Sequence, residues 1–141
     1  MPELPEVETV RRGLEKLVLG YRIAKATDLH PRALKPESIA PLSSLAGAKI
    51  TGLNRRGKFL WFDLDRPYVL VAHLGMSGQF LITEKSRPSA KHIRAQFQLE
   101  KTLRRRELIF NDQRTFGWLS IEELQNNIPA SASHIAADPF D

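Results

Sequence analysis

His92-Ile93-Arg94-Ala95-Gln96-Phe97-Gln98-Leu99 alternates apolar and polar side chains without a break. An extended chain sends successive side chains to opposite faces. Ile93, Ala95, Phe97 and Leu99 therefore predict a strand with one face in a core, while Arg94, Gln96 and Gln98 face outward. Outward from this stretch, short apolar runs separated by turn residues predict further strands at 22–28, 48–54, 58–64, 68–74, 79–83, 107–110 and 116–120. Asp65-Arg66-Pro67 reads as the turn between the third and fourth of them. Only the first segment follows another period. Over 5–19, Val7, Val10, Leu14, Leu17 and Val18 share one stripe, Pro5 suits a first helical position, Glu6 and Glu8 complement the helix dipole, and Gly20 is a stop. Ser120-Ile121-Glu122-Glu123 has the form of a capping box opening a short helix through Asn126. The expected class is α+β, mainly β: an antiparallel β-sandwich of about eight strands with an N-terminal amphipathic helix and a short C-terminal helix. The domain is expected over 1–128, with 129–141, opening on Pro129-Ala130-Ser131-Ala132-Ser133, as a linker.

The 141 residues, 42% of them hydrophobic, suffice for one domain with its own core. Lys and Arg number 21 against 16 Asp and Glu, a net +5 that permits a polyanionic partner. No apolar run approaches the roughly 18 residues of a membrane span, and Glu3, Glu6 and Glu8 oppose a basic signal-peptide start. An intracellular protein with no membrane partner is expected. There is no cysteine, and the four histidines, His30, His73, His92 and His134, show no ligand spacing, so no metal or other cofactor is expected in the chain.

Met1 precedes a proline, a context in which aminopeptidase normally removes the methionine, leaving Pro2 with a free secondary amine. Such an amine has a reference pKa of about 8, so a useful fraction is neutral near pH 7 and nucleophilic. A secondary amine that displaces a group from an acetal-like carbon goes on to an iminium, an electron sink for elimination. Glu3 stands close enough to act as general acid or to stabilise developing positive charge. The same residues also read as a plain chain start with Pro5 preparing a helix. Arg55-Arg56-Gly57-Lys58 is a tight cationic turn, suited to phosphate or to solvent. His73 ends an apolar strand, where a hydrogen-bonded structural role competes with a functional one. Met76 lies between glycines in a loop, as a wedge or as packing. Arg114 and Phe116 stand two apart and point the same way if extended, although Phe116 also reads as a core aromatic beside Trp118.

Four ordered motifs carry a family resemblance. Pro2-Glu3-Leu4-Pro5-Glu6-Val7-Glu8-Thr9-Val10-Arg11 resembles the opening of the formamidopyrimidine-DNA glycosylases, and Arg55-Arg56-Gly57-Lys58 resembles their basic turn. His73-Leu74-Gly75-Met76-Ser77-Gly78 resembles their methionine loop, and Phe110-Asn111-Asp112-Gln113-Arg114-Thr115-Phe116-Gly117 their Arg-x-Phe-Gly loop. The resemblance implies a monomeric base-excision-repair glycosylase with AP lyase activity, acting on double-stranded DNA that contains 8-oxoguanine or a formamidopyrimidine. It casts Pro2 as nucleophile and Glu3 as its acid, and includes Lys58 in the catalytic set. Glu6 either orients that group or caps the helix. It gives His73, and more weakly His92, to the phosphate backbone together with Arg56. Met76 and Arg114 would fill the hole left by an extruded nucleotide, with Phe116 wedged beside the partner base. Full-length members continue into a helix-two-turns-helix segment and usually a four-cysteine zinc finger. Neither is in this chain, whose His134-Ile135-Ala136-Ala137-Asp138-Pro139 resembles the family's linker into that half. A bacterial-type cytoplasmic or nucleoid setting is implied. The alternatives are an endonuclease VIII-like enzyme for oxidised pyrimidines, a non-catalytic DNA-binding module, and a folding fragment inactive by itself.

Overall fold

A computed structural model describes residues 4–75, 78–83, 92–112, 117–125 and 127–132. The helix α1 spans Leu4–Val18. Val7, Leu14 and Val18 are buried and Val10 packs on the core, whereas Leu17, expected on the same stripe, is 39% exposed. Leu17 lies about 100° from Val18 around the axis, off the stripe that Val7, Leu14 and Val18 bury. Gly20 follows as the expected stop.

Among the described residues nine strands follow α1: β1 Arg22–Asp28, β2 Ile50–Arg56, β3 Phe59–Leu64, β4 Tyr68–His73, β5 Gly78–Thr83, β6 Ile93–Lys101, β7 Arg104–Asp112, β8 Trp118–Gln125 and β9 Ile128–Pro129. They form two antiparallel sheets in the orders β1-β6-β7-β5 and β2-β3-β4-β8-β9. The expected alternation holds in β6, where Ala95, Phe97 and Leu99 are buried and Gln98 is exposed. These side chains meet Leu60, Phe62 and Leu70 of the second sheet, together with Phe110 and Ile121, in one core. A smaller cluster of Trp61, Val69, Val71 and Ala132 covers the outer face of the second sheet.

Two expectations need correction. Ser120-Ile121-Glu122-Glu123 opens no helix; it lies inside β8, paired along β4 from His73↔Trp118 to Tyr68↔Glu123. Leu119 and Ile121 are fully buried, and that two-residue periodicity outweighs a local capping pattern. Among the described residues after β8, the helical element is a 3-10 turn at Ala130–Ala132, outside the segment expected to be helical. In addition, β7 starts three residues earlier than expected, because Arg104-Arg105-Arg106 pairs with Lys101, Glu100 and Leu99 across a tight turn. Among residues 129–132, Ala132 is buried, and the Ser131 N–H donates to the Glu122 carboxylate at 2.8 Å.

Candidate functional site

One end of the sandwich gathers the start of α1, the β2–β3 turn, the ends of β4 and β8, and the ends of β5, β6 and β7. Cross-strand partners Phe59↔His73, His73↔Trp118 and Gly78↔Asp112 place these elements level with one another.

Glu8 joins the first two. Its carboxylate accepts from Arg11 at 2.7 and 2.9 Å, from Arg12 at 2.8 Å and from Arg55 Nε at 3.0 Å. The Arg55 side chain is 1% exposed, and its Nη1 donates to the Gly57 carbonyl at 3.1 Å. A buried guanidinium thus ties α1 to the turn that carries Lys58. The Arg11 hydrogen bond, joined by Arg55 and Arg12 and opposed by burial, holds the Glu8 pKa at about 2. Gly57 sits at φ 58°, a left-handed conformation that costs a side-chain-bearing residue energy, and Lys58 follows directly. Arg56 is half-buried, and its Nε has no hydrogen-bond partner among the described residues. Pro2 and Glu3 lie outside the described residues; Glu6 is in the first turns of α1.

His73 ends β4 in a row of rings on the outer face of the second sheet. It stacks on Trp118, with centroids 5.6 Å apart and planes 12° from parallel, and meets the edge of Phe59 at 5.1 Å. The Gly75 N–H donates to its Nδ1 at 3.2 Å, which leaves the ring proton on Nε2. Burial first, then the charges of Lys58 and Lys35, push its pKa below the ordinary histidine value. His73 is therefore a neutral ring with one directed donor, and the structural and functional readings of it are compatible. Lys35 completes the row, with Nζ 4.3 Å from the Trp118 ring centroid.

The two motif loops are tied at their bases. The Gly78 N–H donates to the Leu74 carbonyl at 2.7 Å, closing one. The fully buried Asp112 carboxylate accepts from the Gly117 N–H at 2.6 Å, closing the other. A Cβ on Gly117 would stand 2.8 Å from the His73 carbonyl and 2.9 Å from Asp112 Oδ2, so glycine is required by close approach. Met76, Arg114 and Phe116, which those loops carry, lie outside the described residues. His92 precedes β6, its carbonyl accepting from the Asp112 N–H at 2.9 Å.

Sequence reasoning missed the bridging part of Glu8, the tie made by Asp112, and Lys35. Asp112 had a local signal, an Asp five residues before a glycine in a turn-rich segment. Glu8 and Lys35 had none, because their partners are 47 and 83 positions away. Among the described residues no group of three His, Asp or Glu is placed to hold a metal ion.

The family described as formamidopyrimidine-DNA glycosylase N-terminal domain matches residues 1–119. Formamidopyrimidine-DNA glycosylase of Acidothermus cellulolyticus is 51% identical over all of this chain and 50% of its own length. That of Nocardioides sp. is 46% identical over all of this chain and 49% of its own. The chain thus spans about half the length of the curated relatives it matches. Among solved structures, Lactococcus lactis Fpg with an abasic site containing DNA superposes with a TM-score of 0.75 at 32% identity, covering 86% of this chain and 44% of that one. A MutM complex with carbocyclic 8-oxo-G containing DNA gives 0.75 at 33% identity, with the same coverage. The fold agrees with these matches, and the chain belongs to the formamidopyrimidine-DNA glycosylase family, its residues 1–119 matching that family's N-terminal domain.

Proposed function

We propose that this chain is the catalytic half of a bifunctional DNA glycosylase and AP lyase that removes oxidised purines from duplex DNA inside a bacterial cell. The observation that carries this reading is the Glu8–Arg55 bridge, which sets the start of α1, two residues after Pro2, against the turn bearing Lys58. In the proposed reaction the Pro2 nitrogen, freed of Met1, attacks the anomeric carbon of an extruded nucleotide. Glu3 assists opening of the sugar ring. The base departs with the bonding electrons and a proton, leaving an iminium between enzyme and sugar. Successive β and δ eliminations then release the two phosphates flanking the sugar, and water frees the enzyme. Lys58 is close to the DNA phosphates in this scheme, and the neutral His73 donates from Nε2 to one of them. Met76, Arg114 and Phe116 hold the extruded state open, against a stacking and pairing cost of a few kcal/mol. Any zinc finger and the remaining DNA contacts belong to the other half of the full-length enzyme.

Borohydride trapping on a duplex with 8-oxoguanine opposite cytosine tests the mechanism. The chain with Met1 removed should become covalently fixed to DNA, Pro2→Gly should slow base excision, and a chain retaining Met1 should not be trapped. Undiminished trapping by the Met1-containing chain would rule out Pro2 as nucleophile. One Lactococcus lactis Fpg structure contains an oxidised pyrimidine in its DNA, so a pyrimidine lesion belongs in the same assay, and preference for it would move the chain to the endonuclease VIII-like reading.

A further inference from the structure

We propose that Lys35, seated on the Trp118 ring, forms a second binding site for a DNA backbone phosphate, beside Lys58 and His73. The inference rests on the reading that this end of the molecule meets DNA, and it adds a residue that none of the four sequence motifs contains.

The position of Lys35 is built by the fold. After β1 the chain crosses from the first sheet to the second, where the Leu119 N–H donates to the Ala33 carbonyl at 2.7 Å and the Lys35 N–H donates to the Leu119 carbonyl at 2.8 Å. Leu34 and Leu119 form a parallel bridge between these two bonds. The backbone of Lys35 is thus fixed to the first residues of β8, unlike a lysine on a free surface loop. Its side chain lies on the outer face, with Nζ over Trp118 at 4.3 Å, and Trp118 stacks in turn on His73. An ammonium held against an aromatic face keeps its charge while losing conformational freedom, so less entropy is lost when an anion arrives.

The rings of Phe59, His73 and Trp118 form a compact cluster on the outer face of the second sheet, with Phe59 and His73 5.1 Å apart, His73 and Trp118 5.6 Å apart, and Phe59 and Trp118 5.9 Å apart. Lys58 directly precedes Phe59 in the chain, Lys35 lies on Trp118, and both charges lower the pKa of His73. Lys35 also lines a hollow that it shares with Glu37, Glu122 and Glu123. Glu122 is engaged by the Ser131 N–H at 2.8 Å, and among the described residues no carboxylate forms an ion pair with Lys35. Two lysines near a neutral imidazole donor make a ledge for backbone phosphates, with Trp118 as the support of one cation.

The test is fluorescence anisotropy of this chain with a short fluorescein-labelled, lesion-free duplex, measured over a series of salt concentrations. Loss of one phosphate contact flattens the log-log dependence of affinity on salt by about one unit. Lys35→Ala and Lys58→Ala should each do so, Lys35→Arg should restore the wild-type slope, and Lys35→Gln serves where alanine loosens the fold. A lysine that merely covers Trp118 would change the melting temperature and leave the slope alone. A flatter slope for Lys58→Ala with an unchanged one for Lys35→Ala and Lys35→Gln overturns the Lys35 site and leaves the proposed function standing. Unchanged slopes for both residues, or no duplex binding by the wild-type chain at the lowest salt, overturn the DNA-facing reading of this surface and the Lys35 site with it.

Discussion

At the scale of single residues, Glu8 does more than its place near a helix start suggests. A carboxylate in the second turn of a helix interacts favourably with the dipole, and that much follows from the sequence. Its bond to Arg55 does not, because nothing local announces a partner on β2. The linkage has a definite sign. A carboxylate held at about 2 in the folded chain and near 4.5 unfolded contributes stability that is complete above pH 4.5 and is lost as the pH falls toward 2. Glu8→Gln should therefore lower stability at neutral pH and flatten its decline between those limits. Denaturant titrations at a series of pH values check this; a decline as steep as that of the wild type would assign it to other carboxylates. Lys58 and His73 were legible as candidates because a motif surrounds each. What the sequence left open for His73 was its protonation, which depends on burial and on Lys58 and Lys35, all tertiary facts.

At the scale of elements, strands with a clear two-residue alternation were readable to within a few positions, and β8 was not. Ser120 and Glu123 stand at the spacing of a capping box, and only pairing with β4 reveals that Leu119 and Ile121 face the core. The start of β7 was hidden by three arginines, which register with β6 but carry no apolar signal. The two readings of Ser120 predict opposite effects. A capping serine changed to alanine costs about 1 kcal/mol. In β8 the Ser120 hydroxyl is buried without a hydrogen-bond partner among the described residues, so Ser120→Ala should be neutral or stabilising. The midpoint of urea unfolding decides between them, and a clear loss of stability would show that the hydroxyl has a partner in solution.

At the scale of the whole molecule, the sandwich holds its motifs at one end, and the class of that architecture was legible because β-strand alternation and a single amphipathic helix leave few alternatives. The meeting of the motifs was not legible from spacing, since it depends on which strands neighbour which. The helix α1 itself has a mechanical consequence. Its 15 residues make a rod about 22 Å long, with Val18 packed in the core at one end and the proposed nucleophile two residues beyond the other. Such a rod is a lever: a tilt of about 5° about Val18 moves its far end by about 2 Å, a motion that the buried Val7 near that end also opposes. Misplacement by about 1 Å is enough to cost a reaction a hundredfold. The Glu8–Arg55 bridge is the stay that restrains the tip, and repacking at the fulcrum becomes a way to detune chemistry from a distance. Val18→Ala should slow borohydride trapping at least tenfold while leaving duplex affinity within about twofold, because the proposed phosphate contacts belong to the sheets, whereas the proposed nucleophile precedes the rod in the chain. Equal losses in both measurements would mean that the mutation loosens the sandwich as a whole, and that aim is set by the last few residues of the chain start alone.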